Sequence, residues 1–302
     1  MRSSNLATAL AVAAVAATFA LPASAPAAPL GLDYTATTTN WTEFPGRAEQ
    51  ETYQPCAAPL RLVGIGAWVG ESIPPQPFRS AFPIGRMYNV SIRPYDQFEG
   101  PEPDSTQQVA DNLFGEDASW TLGESTACAD SADGLAYPSR AKRNPKRSRS
   151  AVSVRCTGGR SVLSGGGWAG GPFRSQRLVS SAPYDGPDKD TRPDDGWRVA
   201  IDNLSSRARR IEAFAICARP DAVSYRSKKF RSKKRSRRHV AVACPVGKNV
   251  VGGGVVHRAK ARKATLVASR FPSPVEHDRW LVEVDNLSKR RATGRAFAVC
   301  HA

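Results

Sequence analysis

The stretch from Cys244 to Cys300 reads CPVGKNVVGGGVVHRAKARKATLVASRFPSPVEHDRWLVEVDNLSKRRATGRAFAVC, and its pattern occurs three times in the chain. The shared landmarks are an opening cysteine, an apolar residue, a glycine, a proline, an Asp-Asn-Leu triplet and a closing cysteine. In the three copies they are Cys56, Val63, Gly66, Pro94, Asp111 to Leu113 and Cys128; then Cys156, Leu163, Gly166, Pro183, Asp202 to Leu204 and Cys217; then Cys244, Val251, Gly254, Pro272, Asp285 to Leu287 and Cys300. A threefold recurrence at fixed offsets predicts a repeat architecture.

Each copy has the residue pattern of short β-strands. Trp197, Val199 and Ile201 alternate with less apolar residues, which is the period-two signature of a half-buried strand. The run from Ile211 to Cys217 is apolar on both faces except at Glu212, which favours an interior strand. No stretch has a convincing apolar stripe at helical spacing. The sequence therefore predicts an all-β fold of three tandem antiparallel modules, each with about five short strands and one disulfide.

The composition divides the chain into a leader, an arm, three modules and two basic linkers. The predicted bounds are 1–27 for a signal peptide, 28–52 for an N-terminal arm, 53–130 for a divergent module 1, 138–150 for a basic linker, 151–219 for module 2, 224–239 for a second basic linker and 240–302 for module 3.

The leader and the cysteines both indicate export. Arg2 precedes an apolar stretch from Leu6 to Leu21, and small residues follow it at a cleavage site near Ala27. That apolar stretch is too short for a membrane-spanning helix, so we expect a secreted, extracellular protein with no transmembrane segment. Six cysteines pair readily in an oxidising compartment. Because each copy begins and ends with one cysteine, we expect the disulfides Cys56–Cys128, Cys156–Cys217 and Cys244–Cys300.

Charge is distributed very unevenly along the chain. Residues 30–137 contain 5 Arg and 15 Asp or Glu, whereas residues 138–302 contain 37 Lys or Arg and 12 Asp or Glu. Much of the positive charge lies in the two predicted linkers, which we expect to be extended and solvated. The second linker supplies a hypothetical anion-binding set that consists of Lys228, Lys229, Lys233, Lys234, Arg235, Arg237 and Arg238. Such a cluster can hold an anionic cell-envelope polymer or carbohydrate by charge. Since Phe230 is the lone aromatic residue there, base stacking is disfavoured and we expect no specific nucleic-acid partner.

Other candidate chemistry is weaker. Gly165 to Gly170 match the dinucleotide-binding spacing, but Pro172 follows and no helix is predicted there, so we expect no cofactor. The four histidines have no metal-binding spacing, and the cysteines are assigned to disulfides, so we expect no metal site. A threefold ligand site on Asp111, Asp202 and Asp285 competes with the simpler interpretation of a recurring turn. The acidic residues Asp96, Glu99, Glu102 and Asp104 in module 1 are interpreted as a solvated loop.

The modules resemble a module of uncharacterised secreted actinobacterial proteins, with the order Cys, Gly-Gly-Gly, Gly-Trp, Asn and Ala-x-Cys. In the third copy the corresponding residues are Cys244, Gly252 to Gly254, Trp280, Asn286 and Ala298 to Cys300, although Arg279 replaces the glycine before the tryptophan. The first copy lacks the glycine triplet and the second tryptophan. The resemblance implies no catalytic residues. It also implies that three tandem copies pack around a pseudo-threefold axis, as in a β-prism.

Three functional hypotheses follow. The first is a non-enzymatic extracellular or cell-envelope binding protein that attaches to an anionic polymer by charge or through a lectin-like face. The second is a secreted hydrolase with its site in module 1, and the third is a structural spacer.

Overall fold

The computed structural model places the described residues in β-strands and connecting turns, with no helix among them. The described residues are 31–41, 47–52, 56–57, 59–70, 87–95, 105–112, 120–130, 134–172, 175–188, 190–219, 223–271 and 276–302. The predicted signal peptide, the acidic loop at 96–104 and Leu113 lie outside them. Within the described part no helix has the length and hydropathy that a membrane span requires.

Eighteen strands form three groups of six, which we call repeats 1, 2 and 3. Repeat 1 contains β1 (Leu32–Trp41), β2 (Arg47–Thr52), β3 (Arg61–Gly70), β4 (Met87–Tyr95), β5 (Ser105–Asn112) and β6 (Trp120–Ala129). Repeat 2 contains β7 (Ser139–Asn144), β8 (Arg149–Arg155), β9 (Ser161–Trp168), β10 (Gln176–Tyr184), β11 (Gly196–Asn203) and β12 (Arg209–Ala218). Repeat 3 contains β13 (Ser224–Ser232), β14 (Ser236–Ala243), β15 (Asn249–His257), β16 (Ala264–Arg270), β17 (Arg279–Asn286) and β18 (Ala292–His301).

The repeats interlock to form three six-stranded antiparallel sheets. Sheet 1 has the order β1-β6-β3-β16-β17-β14, sheet 2 has β2-β5-β4-β9-β12-β7, and sheet 3 has β13-β18-β15-β10-β11-β8. Each sheet therefore combines the first, sixth and third strands of one repeat with the fourth, fifth and second strands of another. This exchange closes into a ring, because β16 of repeat 3 pairs with β3 of repeat 1. The fold is all-β, pseudo-threefold and β-prism-like, as predicted. The three modules share their sheets and form one body rather than three separately folded domains.

The predicted linkers and arm are wrong as boundaries, since they contain strands. β7 and β13, together with half of β14, lie in the segments assigned to basic linkers, and β1 and β2 lie in the arm. With β8, these are the first two strands of each repeat, and all six occupy the outer edges of the sheets. Edge strands expose one row of backbone groups to water and tolerate many charged side chains, which also oppose edge-to-edge aggregation. Each module therefore has six strands rather than about five, and the polar composition reflects edge position rather than a lack of structure.

The disulfides pair as the repeat pattern predicts. Cys56–Cys128, Cys156–Cys217 and Cys244–Cys300 each lie within one repeat, and the described residues include no free cysteine. Each bond joins the end of a sixth strand to the chain just before the third strand. Closing loops of 72, 61 and 56 residues contributes about 4 kcal/mol each in the chain-entropy treatment.

The glycine clusters lie where strands of different repeats approach most closely. A Cβ at Gly254 would lie 2.0 Å from the Ser181 carbonyl oxygen, and one at Gly166 would lie 2.3 Å from that of Ile92. The two glycines are equivalent in position, as their spacing predicts, and each contacts the backbone of a neighbouring strand. The preceding glycine, Gly253, does lie against a ring, that of Trp280. Only glycine allows these junctions, because any side chain would overlap the neighbouring strand.

The core lies between the three sheets. The third strands β3, β9 and β15 contact one another, and each contributes a fully buried apolar residue, namely Val63, Leu163 and Val251. Trp197 and Trp280 are buried against the glycine clusters of β9 and β15. Gly165 to Gly167 belong to β9, a strand, so the glycine spacing has a packing role and no helix follows it.

Candidate anion-binding surface

Positive charge is concentrated on sheet 3. Its strands contain nine Lys or Arg residues and one acidic residue. The strands of sheet 1 contain five basic and four acidic residues, and those of sheet 2 contain seven basic and four acidic residues. The reason is topological, because sheet 3 is the sheet to which the acidic repeat 1 contributes no strand. The interlocked fold thus converts a charge difference along the sequence into a basic face.

Six of the seven residues in the hypothetical anion-binding set are exposed to solvent. Lys228 and Lys229 lie on β13, and Arg238 lies on β14. The turn between these strands presents the other three cations, which are Lys233, Lys234 and Arg235. None of these six side chains forms an ion pair with a described carboxylate. The structure therefore places them on two consecutive edge strands, which belong to sheets 3 and 1, and on the turn that joins these strands, rather than on a solvated linker.

Arg237 is the exception and was assigned wrongly to the binding set. Its side chain is 8% exposed, and its guanidinium donates to both carboxylate oxygens of Asp285 at 2.7 and 2.9 Å. A second carboxylate, that of Glu283, lies 3.0 Å from its Nε. Burial acts to lower the pKa of Arg237, but the hydrogen bond to Asp285 and the two negative charges outweigh it and raise the pKa. Arg237 is thus an internal structural cation that has no free face for a ligand.

The Asp-Asn-Leu triplets are structural as well. Asp202 is fully buried and accepts two 2.8 Å hydrogen bonds from Arg149, just as Asp285 does from Arg237. The neighbouring Asn203 donates to three backbone carbonyls and accepts from the amide of Ser205, so it fixes the following turn. The threefold ligand site is therefore wrong for Asp202 and Asp285, whose oxygens already have partners. The side chain of Asp111 lies outside the described part.

A groove on the outer face of sheet 3 has a volume of about 910 Å³. Three adjacent strands form it, since Lys229 on β13 lies opposite Arg295 on β18, which in turn lies opposite Val256 on β15. A second depression of about 590 Å³ shares Val256, Arg295 and Phe297 with the first and continues toward Tyr184. The cations that line the larger depression are Lys229, Arg231, Arg238, Arg258 and Arg295, all exposed.

The pseudo-threefold symmetry explains why the groove exists on this sheet. At the position of Val256, sheets 1 and 2 have Trp68 and Trp168. In each of those sheets an arginine from the next repeat covers the tryptophan at 4.4 Å from the ring centroid, Arg270 over Trp68 and Arg93 over Trp168. Sheet 3 has Val256 and, at the arginine position, Ala182. Two large side chains are thus replaced by two small ones, of which Val256 lines the groove whereas Ala182 is buried and does not line it.

The histidines do not converge on a metal or a catalytic site in the described part. Ser232 Oγ lies 3.0 Å from His257 Nε2, but both residues are buried, and Nδ1 of His257 has no hydrogen-bond partner. A catalytic Ser–His pair requires access to substrate and a group that orients Nδ1. His239 pairs with Glu283, and His277 stacks on Tyr34. The Ser–His contact is therefore a core interaction.

An acidic loop after β10 was missed by the sequence analysis. The carboxylates of Asp185, Asp188 and Asp190 can approach within 4.8 Å of one another, and burial followed by repulsion from Asp190 raises the pKa of Asp194. Two carboxylates of the loop accept hydrogen bonds from backbone amides of the same loop, Asp188 from Asp190 and Asp195 from Gly186. These bonds explain the cluster as turn chemistry. The signal in the sequence was five aspartates within eleven residues that also include Gly186 and two prolines.

No known protein family matches the chain, and no curated protein matches it either.

Proposed function

We propose that the protein is a secreted, non-enzymatic binding protein that attaches to an anionic polymer of the cell envelope. The observation that carries this proposal is the basic face of sheet 3, whose strands contain seven exposed cations; the other two of the nine are Arg149, which is paired with Asp202, and the buried Arg177. The adjoining β13–β14 turn adds Lys233, Lys234 and Arg235. The exposed cations of this face have no described carboxylate partner, so their charge is available to a ligand.

Binding by released counterions should weaken steeply as salt increases, with a log–log slope that grows with the number of contacts. The test is retention of the pure protein on cell-wall material across a salt series. A variant with five exposed cations changed to serine should bind more weakly and with a smaller slope; the changed residues are Lys228, Lys229, Lys233, Lys234 and Arg235. A control variant loses five exposed cations from sheet 2 and its adjoining turn, namely Arg140, Lys142, Arg143, Lys146 and Arg147. Equal losses in both variants, or none in either, would contradict a localised binding face.

Edge protection is the second candidate role for the same charges, and it supports the spacer hypothesis. β13 is the edge strand of sheet 3, and lysines on edge strands prevent pairing with another chain. If this were their whole role, the five-serine variant would aggregate on concentration while its retention at low salt stayed that of the wild type. Light scattering on the same samples separates the two roles.

The hydrolase hypothesis gains no support from the described residues. The Ser232–His257 contact is enclosed in repeat 3, and the loops of module 1 at 71–86 and 96–104 lie outside the described part.

A further inference from the structure

We infer that the groove on sheet 3 is a discrete site for a tetrahedral oxyanion, phosphate or sulfate, carried by a linear polymer. The inference rests on the proposed function and narrows it, because it assigns a location and a ligand chemistry to the attachment. The site is defined by Lys229, Arg231, Arg238, Arg258 and Arg295 around a floor of Val256 and Phe297.

The first argument is that the groove is specific to one face of a pseudo-symmetric body. The fold offers three equivalent outer faces, and two of them are closed by the pairs Trp68–Arg270 and Trp168–Arg93. On the third, both members of the pair are small, Val256 and Ala182. If the outer faces had only a packing role, we would expect the same tryptophan–arginine pair on all three of them. At Val256 the absence of the tryptophan leaves a space that the neighbouring strands line with cations.

The second argument is the charge at the position opposite the missing tryptophan. In sheet 1 this position is Gly123, on which Trp68 lies, and in sheet 2 it is Glu212, which pairs with Arg210. In sheet 3 it is Arg295, which is exposed. The residue that is neutral or acidic elsewhere is therefore a cation here, at the centre of the groove.

The third argument concerns the type and spacing of the cations. Four of the five are arginines, whose planar fork donates two hydrogen bonds to one oxyanion. A sulfate monoester presents three terminal oxygens and an internal phosphate of a linear chain presents two, and their tetrahedral arrangement accepts forks from more than one side, which a planar carboxylate does less well. Lys229 and Arg231 are two residues apart on β13, about 7 Å along the strand, and Arg295 lies on the next strand about 5 Å away. This spacing suits successive charged groups of a chain.

The fourth argument excludes base stacking as the source of affinity. The aromatic side chains that line the groove, Phe230 and Phe297, are each 7% exposed, so neither offers an open ring face. The polymer is therefore recognised through its oxyanions and not through planar bases.

The test uses the full chain and fluorescence anisotropy with labelled inorganic polyphosphate and labelled dextran sulfate. Val256→Trp restores the residue of the other two sheets without changing the net charge, and it should weaken binding about tenfold or more by filling the groove. Arg295→Gln should have a similar effect and removes an exposed side chain, so it does not depend on how the tryptophan packs. Arg143→Gln removes an exposed arginine from β7 of sheet 2, outside the groove, and should change affinity less than about twofold.

Groove-dependent binding of either probe supports the site, and the tighter probe identifies the oxyanion. The site is wrong if Val256→Trp and Arg295→Gln bind both probes as the wild type does. In that case weaker binding by the five-serine variant would still support the proposed function, as binding by diffuse charge. Unchanged binding by that variant would contradict both the groove site and the proposed function. Polyglutamate is a control for the type of anion: if it binds through the groove as tightly as the two probes, the preference for tetrahedral oxyanions is wrong. A single-stranded oligonucleotide is a control for base stacking: if it binds more tightly than polyphosphate of equal charge, the exclusion of bases is wrong.

Discussion

At the scale of single residues, neighbouring arginines with similar sequence surroundings have opposite roles. Arg237 is buried and bonded to Asp285 and Glu283, whereas Arg238 points to the groove and is exposed. The sequence RRH at 237–239 contains no sign of this difference, because strand alternation separates the two side chains only after the strand and its register are known. The anion-binding set was therefore correct in location and wrong for one member.

We predict that Arg237→Ser and Arg238→Ser differ strongly in stability. Removing Arg237 leaves the buried carboxylates of Asp285 and Glu283 without their cation, which costs about 3–5 kcal/mol for a buried pair. Removing the exposed Arg238 should change the free energy of unfolding by less than about 0.5 kcal/mol. Urea denaturation of both variants measures the difference. Equal stabilities would mean that Asp285 does not depend on Arg237.

A second residue-scale prediction concerns acid stability. Burial, with a smaller contribution from Arg149, lowers the pKa of His257 from 6.5 to about 4. Because the unfolded chain then binds a proton that the folded protein does not, stability is fully present above pH 6.5 and falls as the pH drops from 6.5 toward 4. His257 should account for about 2–3 kcal/mol of the loss between pH 7 and 4.5.

The measurement is urea denaturation of wild type and His257→Gln at both pH values. Glutamine does not titrate, so the variant should lose about 2–3 kcal/mol less than the wild type over this range. Other groups titrate in both proteins and cancel in the comparison. Parallel loss of stability in the two proteins would show that His257 protonates equally in the folded and unfolded states.

At the scale of elements, interior strands were predictable and edge strands were not. Trp197, Val199 and Ile201 are all fully buried on β11, and Ile211 to Cys217 lie in β12, which pairs on both sides, as the patterns predict. β7 and β13 escaped prediction because an edge strand is buried along only part of one face. Most of β13 is exposed, and Phe230 and Ser232 are its buried positions. These strands therefore lack an apolar alternation, and their runs of charged residues resemble the composition of a linker.

The groove itself was beyond sequence prediction for a related reason. Two substitutions distinguish this face from the other two, valine for tryptophan on β15 and alanine for arginine on β10, and they lie in different repeats. They become neighbours only because sheet 3 is shared between repeats 2 and 3. Aligning the copies reveals Trp68 and Trp168 against Val256, but the partner change at Ala182 has meaning only once the strand exchange is known.

At the scale of the whole molecule, the interlocked sheets make the repeats interdependent. Repeat 2 supplies three strands to sheet 2 and three to sheet 3, and each half ends at a strand of another repeat. We predict that residues 134–219 alone do not fold as a monomer, even with Cys156 and Cys217 oxidised, because two three-stranded halves would each expose a long unpaired edge. The intact chain should instead unfold in one cooperative transition.

Far-ultraviolet circular dichroism and amide hydrogen exchange of the fragment and the intact chain provide the check. A monomeric fragment with protected amides in β9 and β12 would contradict the interdependence of the repeats. Analytical ultracentrifugation is included because three fragments can in principle occupy the three places of the prism.

Ring closure between β16 and β3 also has a consequence for chain connectivity. The described chain starts with β1 beside the end of β6, and Tyr34 on β1 donates to the Val250 carbonyl of repeat 3, so residue 31 lies near the last repeat. The connection from one repeat to the next is short, as between β12 and β13. A circular permutant that begins at β7 or β13, with residue 302 joined to residue 31 by a linker of similar length, should therefore retain the fold. The fold therefore does not depend on which repeat comes first in the chain. It requires only that each repeat shares a sheet with a neighbour on both sides.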